Sequence, residues 1–175
     1  NRVYGWKPSR PDHTHEFFED FHDVKTLASS KKKHLLQHKK KMSKSLEDDM
    51  PPVYDQGQLG SCTANALAGA FEYVQDYEKF PDFMPSRLQI YYGERVIENS
   101  VNQDSGAAIS DGITVLNTTG TCHESLCPYD ISKFTEKPSD IAFADAELHK
   151  TVKVQRVQNT VDSAKAAIIS GYPVI

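Results

Sequence analysis

The run Asp55-Gln56-Gly57-Gln58-Leu59-Gly60-Ser61-Cys62-Thr63-Ala64 constrains this chain more than any other stretch, because a glycine-punctuated loop leads straight into an alanine-rich helical pattern. Gly57 and Gly60 let the backbone turn tightly and let another chain lie close. Ser61 stands where a helix cap belongs. Beyond it, Ala66, Leu67, Ala70, Phe71 and Val74 recur at helical spacing and predict a helix over 62–77 with one apolar face. Its many alanines allow close packing, so this helix is expected at the centre of a domain. Cys62 thereby falls at the N-terminus of a buried helix. The thiolate is the nucleophilic form of cysteine, and the positive end of a helix favours negative charge. The loop can also bring the Gln56 side-chain amide beside the Cys62 backbone N–H. Two such donors suit the oxyanion of a tetrahedral intermediate.

Around this run the chain divides by composition. Segment 1–50 is polar and irregular, with a basic block from Lys31 to Lys44 in which Leu35, Leu36 and Met42 predict a short amphipathic helix. Pro51-Pro52 closes it. It reads as an extension or a removable pro-segment, with the exposed lysines as processing sites. Residues 51–148 read as a helical lobe. Ser86 caps a second helix carrying Leu88, Ile90, Tyr91, Tyr92 and Val96, and a third spans 109–116. Residues 121–138 read as loop. In 149–175, alternation around Val152 and Val154 predicts a strand over 151–157. Asp162 is expected to cap a last helix to Ile169, and a strand is expected to begin at Tyr172. The fold class is α+β, with the second lobe only begun.

Charge and hydropathy narrow the function. Of the 175 residues, 20 are Lys or Arg and 24 Asp or Glu, a net charge of −4, which gives no case for nucleic acid or a membrane surface. No apolar run reaches the roughly 18 residues of a membrane helix. Residues 1–10 hold no apolar signal-peptide core, so a soluble chain is expected. Three cysteines are too few for a disulfide scaffold. Cys122 and Cys127, close together in one loop, are a candidate disulfide. Among the histidines, His13, His15 and His22 have the spacing of no compact metal site, and His123 and His149 read as ordinary surface side chains. No metal is expected.

The run around Cys62 resembles the nucleophile motif of papain-like C1 cysteine peptidases, most of all the branch found in bacteria, archaea and giant viruses. Further pieces resemble that branch in the same order: Gly5-Trp6-Lys7-Pro8, Ser86-Arg87-Leu88 through Tyr91-Tyr92, Asp104-Ser105-Gly106-Ala107, Asp111-Gly112-Ile113, and Gly120 to Glu124 with Pro128-Tyr129-Asp130. The resemblance implies a two-lobe papain-like fold, of which this chain carries the helical lobe and the first strands of the β-lobe. It implies a peptidase with a peptide or protein substrate and no cofactor. Cys62 would be the nucleophile and Gln56 the oxyanion donor. Gly60 would line the cleft, and Ser105 and Gly106 would pair with the substrate backbone. Where this branch often carries two bridged cysteines, Leu59 and Gln103 stand, and Thr63 replaces the usual aromatic.

In this family the general-base His and its Asn lie roughly 130–150 residues beyond the nucleophile. From Cys62 that falls past Ile175. The expectation is that the base belongs to a second half of the fold, outside these residues. The alternative is a catalytically inactive papain-fold protein with a binding or structural role.

Overall fold

A computed structural model describes residues 4–9, 15–29, 43–151 and 153–175. In chain order its elements are β1 (Trp6–Lys7), α1 (Val24–Ser29), α2 (Cys62–Tyr77), α3 (Arg87–Ile97), β2 (Ala107–Ala108), α4 (Ile109–Thr118), α5 (Asp140–Ala146) and α6 (Val161–Ile169). Short 3-10 turns lie at Phe18–Asp20, Glu47–Asp49 and Ile131–Lys133. The amphipathic helix expected within the lysine block falls largely on 30–42, outside the described residues. Compactness divides the chain into Asn1–Asp12 with Pro51–Val152, and His13–Met50 with Lys153–Ile175. That division differs from the compositional break at residue 50. The physical reason is a parallel pairing of β1 with β2, Trp6 opposite Ala107 and Lys7 opposite Ala108, which ties the first residues to the helical lobe.

In the first unit α2 packs against α3 and α4. Its buried face is Ala64, Leu67 and Ala68, with Leu59, Leu88, Ile90, Tyr91 and Leu116 around it. Ala66, expected on this face, is exposed. The register is set by the smallest side chains, Ala64 and Ala68, which sit one turn apart on the face where α3 and α4 approach. Ser86 caps α3 as expected, its hydroxyl accepting from the Gln89 N–H at 3.1 Å. Ser61 does not cap α2. Its hydroxyl is taken by Tyr129 Oη and by Asn65 Nδ2, which donates at 3.0 Å. Ser139 caps α5, a helix absent from the sequence reading, by accepting from the Ala142 N–H.

Arg95 is fully buried in this unit. Its guanidinium donates to the carbonyls of Tyr91 at 3.2 Å, Val101 at 2.5 Å and Gln103 at 3.5 Å, and to that of Phe134. It lies over the Tyr91 ring, 4.1 Å from its centroid. One side chain thus fixes the loop after α3 and the 3-10 turn at 131–133 to the core.

In the second unit Phe18 is buried against Ala166 and Ala167, with Val24, Leu27 and Val157 beside it. α1 packs on α6. Among the described residues of 151–157 the predicted strand reduces to a single parallel bridge, Phe17 with Arg156. Its bonds are Phe18 N–H to Arg156 O at 2.8 Å and Arg156 N–H to Glu16 O at 2.9 Å. Residues 172–175 form no strand. The cap of α6 is Thr160, which accepts from Ser163 N–H at 3.1 Å. Asp162 lies in the first turn, where its charge still suits the helix end.

Replacing Arg95 with Met leaves buried carbonyls without their donor. A loss of about 2–4 kcal/mol is expected, read as a lower urea midpoint at unchanged slope. A midpoint within experimental error of the parent would refute the clamp.

Candidate active site

Cys62 is the first residue of α2 and is half-buried. Among the described residues its thiol has no hydrogen-bond partner. Gln56 also lies half-buried, and its side-chain Nε2 donates to the Leu59 carbonyl at 2.9 Å. That bond folds the Gln56 side chain back over the loop that delivers Cys62. Asp55 steadies the turn by accepting from Gly57 N–H at 2.9 Å. Tyr129 holds the same loop from outside, donating to the Gln56 backbone carbonyl at 3.0 Å and sharing a hydrogen bond with Ser61. Behind Tyr129 stands Arg87, 4.1 Å from its ring centroid and 4.8 Å from that of Tyr54. Arg87 forms an ion pair with Glu124 at 2.8 Å. The pair is largely buried, where charge-assisted bonds are strong and costly to break singly.

Gly60 is fixed from the other side. Its N–H donates to both oxygens of Asp104, at 2.9 and 3.1 Å. The Tyr91 hydroxyl donates to the same carboxylate at 2.6 Å and accepts from Gly106 N–H at 3.1 Å. Burial is the first cause that holds the Tyr91 phenol above its usual pKa, and the bond to Asp104 adds to it. Two backbone edges, Gly60 and Gly106, are therefore joined by one carboxylate and one phenol. Ser105 lies beside them, its hydroxyl within 2.9 Å of Ser100 Oγ and 3.1 Å of the Gly106 carbonyl.

Gly5 lies against both edges. A methyl group on Gly5 would fall 2.0 Å from the Gly60 carbonyl oxygen and 2.6 Å from Gly106 Cα. Gly106 itself has φ of +69° and would bring a Cβ within 1.8 Å of the Gly5 carbonyl oxygen, so only glycine fits at either place. The Ala107 N–H donates to the Gly5 carbonyl at 2.7 Å. Lys7 forms an ion pair with Glu98, and Ser110 N–H reaches Ser9 Oγ at 3.3 Å. The chain's own opening segment thus runs along the edge expected for a substrate.

Thr63 is buried and donates to Glu94 Oε2 at 2.9 Å. Desolvation pushes the Glu94 carboxyl up from 4.5 to about 8, against the lowering effect of the Thr63 bond. Its Oε1 is buried and makes no hydrogen bond among the described residues. The aromatic side chain usual at position 63 is thus replaced by a hydroxyl that partners a buried acid.

Cys122 and Cys127, the candidate disulfide, are both free thiols. Cys122 is buried against Ala142 and Ala146 with Cys127 packed beside it. Burial, then the neighbouring Cys127, pushes the Cys122 thiol up to about 12, and burial raises Cys127 as well. Thiols held protonated supply little thiolate for oxidation.

Gln56, Gly60 and Cys62 lie within seven residues of one another, so the sequence alone could place them on one loop. Asp104, Tyr91, Arg87 and Tyr129 were not identified as holding the loop, since each acts across a long sequence gap. The only signal was that each belonged to a motif noted for another reason.

No family model matches the chain. It is 44% identical over 130 residues to an uncharacterized peptidase C1-like protein of Acanthamoeba polyphaga mimivirus, a match covering 69% of this chain and 42% of that protein. Among solved structures it is similar to xylellain, a cysteine protease from Xylella fastidiosa. That match has a TM-score of 0.77 and 36% identity, and covers 96% of this chain and 63% of that one. A structure from work on the mite allergens Blo t 1 and Der p 1 shares the fold, with a TM-score of 0.54 at 16% identity over 77% of this chain and 45% of that one. The chain spans less than two thirds of the length of each.

The pH dependence of stability tests the Glu94 assignment. Its folded pKa lies above the unfolded one, so its contribution is complete below about pH 4.5 and is lost as the pH climbs through about 8. Between these values the parent chain should lose up to about 1.4 kcal/mol per pH unit from this group. Glu94→Gln, which stays neutral and still accepts from Thr63, should flatten that slope in a pH series of urea midpoints. Parallel slopes for the two proteins would refute a protonated Glu94. Over the part that it spans, the chain has the papain-like fold and belongs with the papain-like C1 peptidases.

Proposed function

We propose that this chain is the nucleophile-bearing part of a cysteine endopeptidase that cleaves peptide bonds through an acyl-enzyme on Cys62. The observation that carries the reading is the arrangement of Cys62 at the start of α2 with Gln56 folded back over the same loop. Cys62 Sγ attacks the carbonyl carbon of the scissile bond. The Cys62 N–H and the Gln56 side-chain N–H take up the charge on the oxygen. The C–N bond breaks, the amine leaves with a proton, and a thioester to Cys62 remains. Water then adds to the thioester and releases the acid, restoring the thiol.

Both proton transfers need a base poised near neutral pH, a role that histidine fills best. Among the described residues no histidine is hydrogen-bonded to Cys62; His123 and His149 instead pair with Asp145. The proposed base is a histidine, oriented by an asparagine, in a second part of the fold outside these 175 residues. The substrate backbone would lie between Gly60 and Gly106, pairing beside Ser105 as an added strand. Because Gly5 takes that place here, the described form is latent, and the segment before Ser9 must move before a substrate binds.

The test uses the protein that carries both parts. E-64, an epoxide that alkylates activated papain-like thiols, should add one equivalent by intact mass and none in Cys62→Ala. Gln56→Ala should lower kcat on a peptide substrate by about 10²–10³. Cutting the chain after Ser9 should speed the E-64 reaction, and an unchanged rate would remove the latent form. No adduct, with Cys62 still open to a small alkylator, would overturn the peptidase reading in favour of an inactive papain-fold binding protein.

A further inference from the structure

We infer that His123, Asp145 and His149 form a binding site for one divalent transition-metal ion of the zinc class. His123 comes from the loop before Glu124. Asp145 is on the last turn of α5, and His149 follows it by four residues in the turn after the helix, where its N–H donates to the Ala146 carbonyl at 2.9 Å. One ligand atom from each of the three side chains lies within 4.8 Å of the other two. All three residues are half-buried.

The distances leave room for an ion among the three side chains. His123 Nδ1 lies 2.8 Å from Asp145 Oδ2, a plain hydrogen bond. His149 Nε2, however, stands 3.9 Å from Asp145 Oδ1, too far for one. Ligands each about 2.0–2.1 Å from a tetrahedral zinc ion are separated by about 3.4 Å. His123 stands closer than that to one carboxylate oxygen and His149 farther from the other, and all three ligand atoms lie within 4.8 Å of one another, so side-chain rotations would seat the ion.

The frame around the cluster is already built. The Phe83 ring stacks on His123 at 4.1 Å between centroids and lies 4.5 Å from His149. The two imidazoles meet at 78°, edge to face. The His123 backbone N–H donates to Asp145 Oδ2 at 3.0 Å, so the carboxylate stays anchored when His123 Nδ1 turns its lone pair to a metal. Two imidazoles and one carboxylate suit zinc, iron or nickel more than calcium or magnesium, and leave one tetrahedral position to water. The ion would join α5 to the segment whose next residue, Glu124, holds Arg87.

The site is tested with cobalt(II) and zinc on the full chain. One equivalent of cobalt should give the intense visible d–d bands of a tetrahedral site, and zinc should displace it. His149→Gln loses no hydrogen bond and should fold normally, yet bind at least about tenfold more weakly. Asp145→Asn, checked by circular dichroism, should do the same. Absence of cobalt uptake would overturn the proposal. So would a thiolate-to-cobalt charge-transfer band, which would place the ion on cysteine, or uptake unchanged in both variants.

Discussion

The Asp104 carboxylate is the tie on which this half of the fold depends. Its two oxygens take the Gly60 N–H and the Tyr91 hydroxyl, and Tyr91 in turn takes the Gly106 N–H. Bonds to a charged acceptor are about twice as strong as neutral ones. One side chain therefore sets the gap between two backbone edges that are 46 positions apart in sequence, at 60 and 106. Both edges are glycine, and the gap is narrow enough that only glycine at position 5 fits against them.

A second tie works on the opposite flank of the same loop. Arg87 sits among Tyr54, Tyr129 and Glu124, and Tyr129 reaches the Gln56 carbonyl. Between the two ties the run from Asp55 to Cys62 has little freedom left. In the proposed function this loop presents a thiol and an amide to one reacting atom and gains from such restraint, because misplacement by about an ångström costs rate heavily. The ordering energy comes from the core of α2, α3 and α4, where small alanines allow close approach.

Much of this was legible in the residues themselves. The three long helices of the first unit carry local signals: Ser86 as a cap, apolar residues at helical spacing, and glycines or prolines at their ends. Cys62 and Gln56 could be placed on one loop because their relation is local. The face of α2 was misread at Ala66, since alanine pattern alone does not say which small residue meets a neighbour. α5 was passed over because seven residues hold too few turns to show a period. The alternation around Val154 suggested a strand, yet strands exist only with partners, and residues 153–157 find one bridge. The pairing of Trp6-Lys7 with Ala107-Ala108 and the convergence of His123, Asp145 and His149 depend on tertiary folding and left no local trace.

The central claim is that the opening segment occupies a cleft edge which the rest of the lobe holds ready. Amide hydrogen exchange at Gly60, Gly106 and Ala107 tests it most directly. All three amides should exchange slowly in the intact chain. After removal of residues 1–9, Ala107 alone should become fast, because its acceptor is the Gly5 carbonyl. Gly60 and Gly106 should stay slow, bonded to Asp104 and Tyr91. Fast exchange at Gly60 and Gly106 in the intact chain, or an Ala107 amide still protected after the cut, would contradict the account.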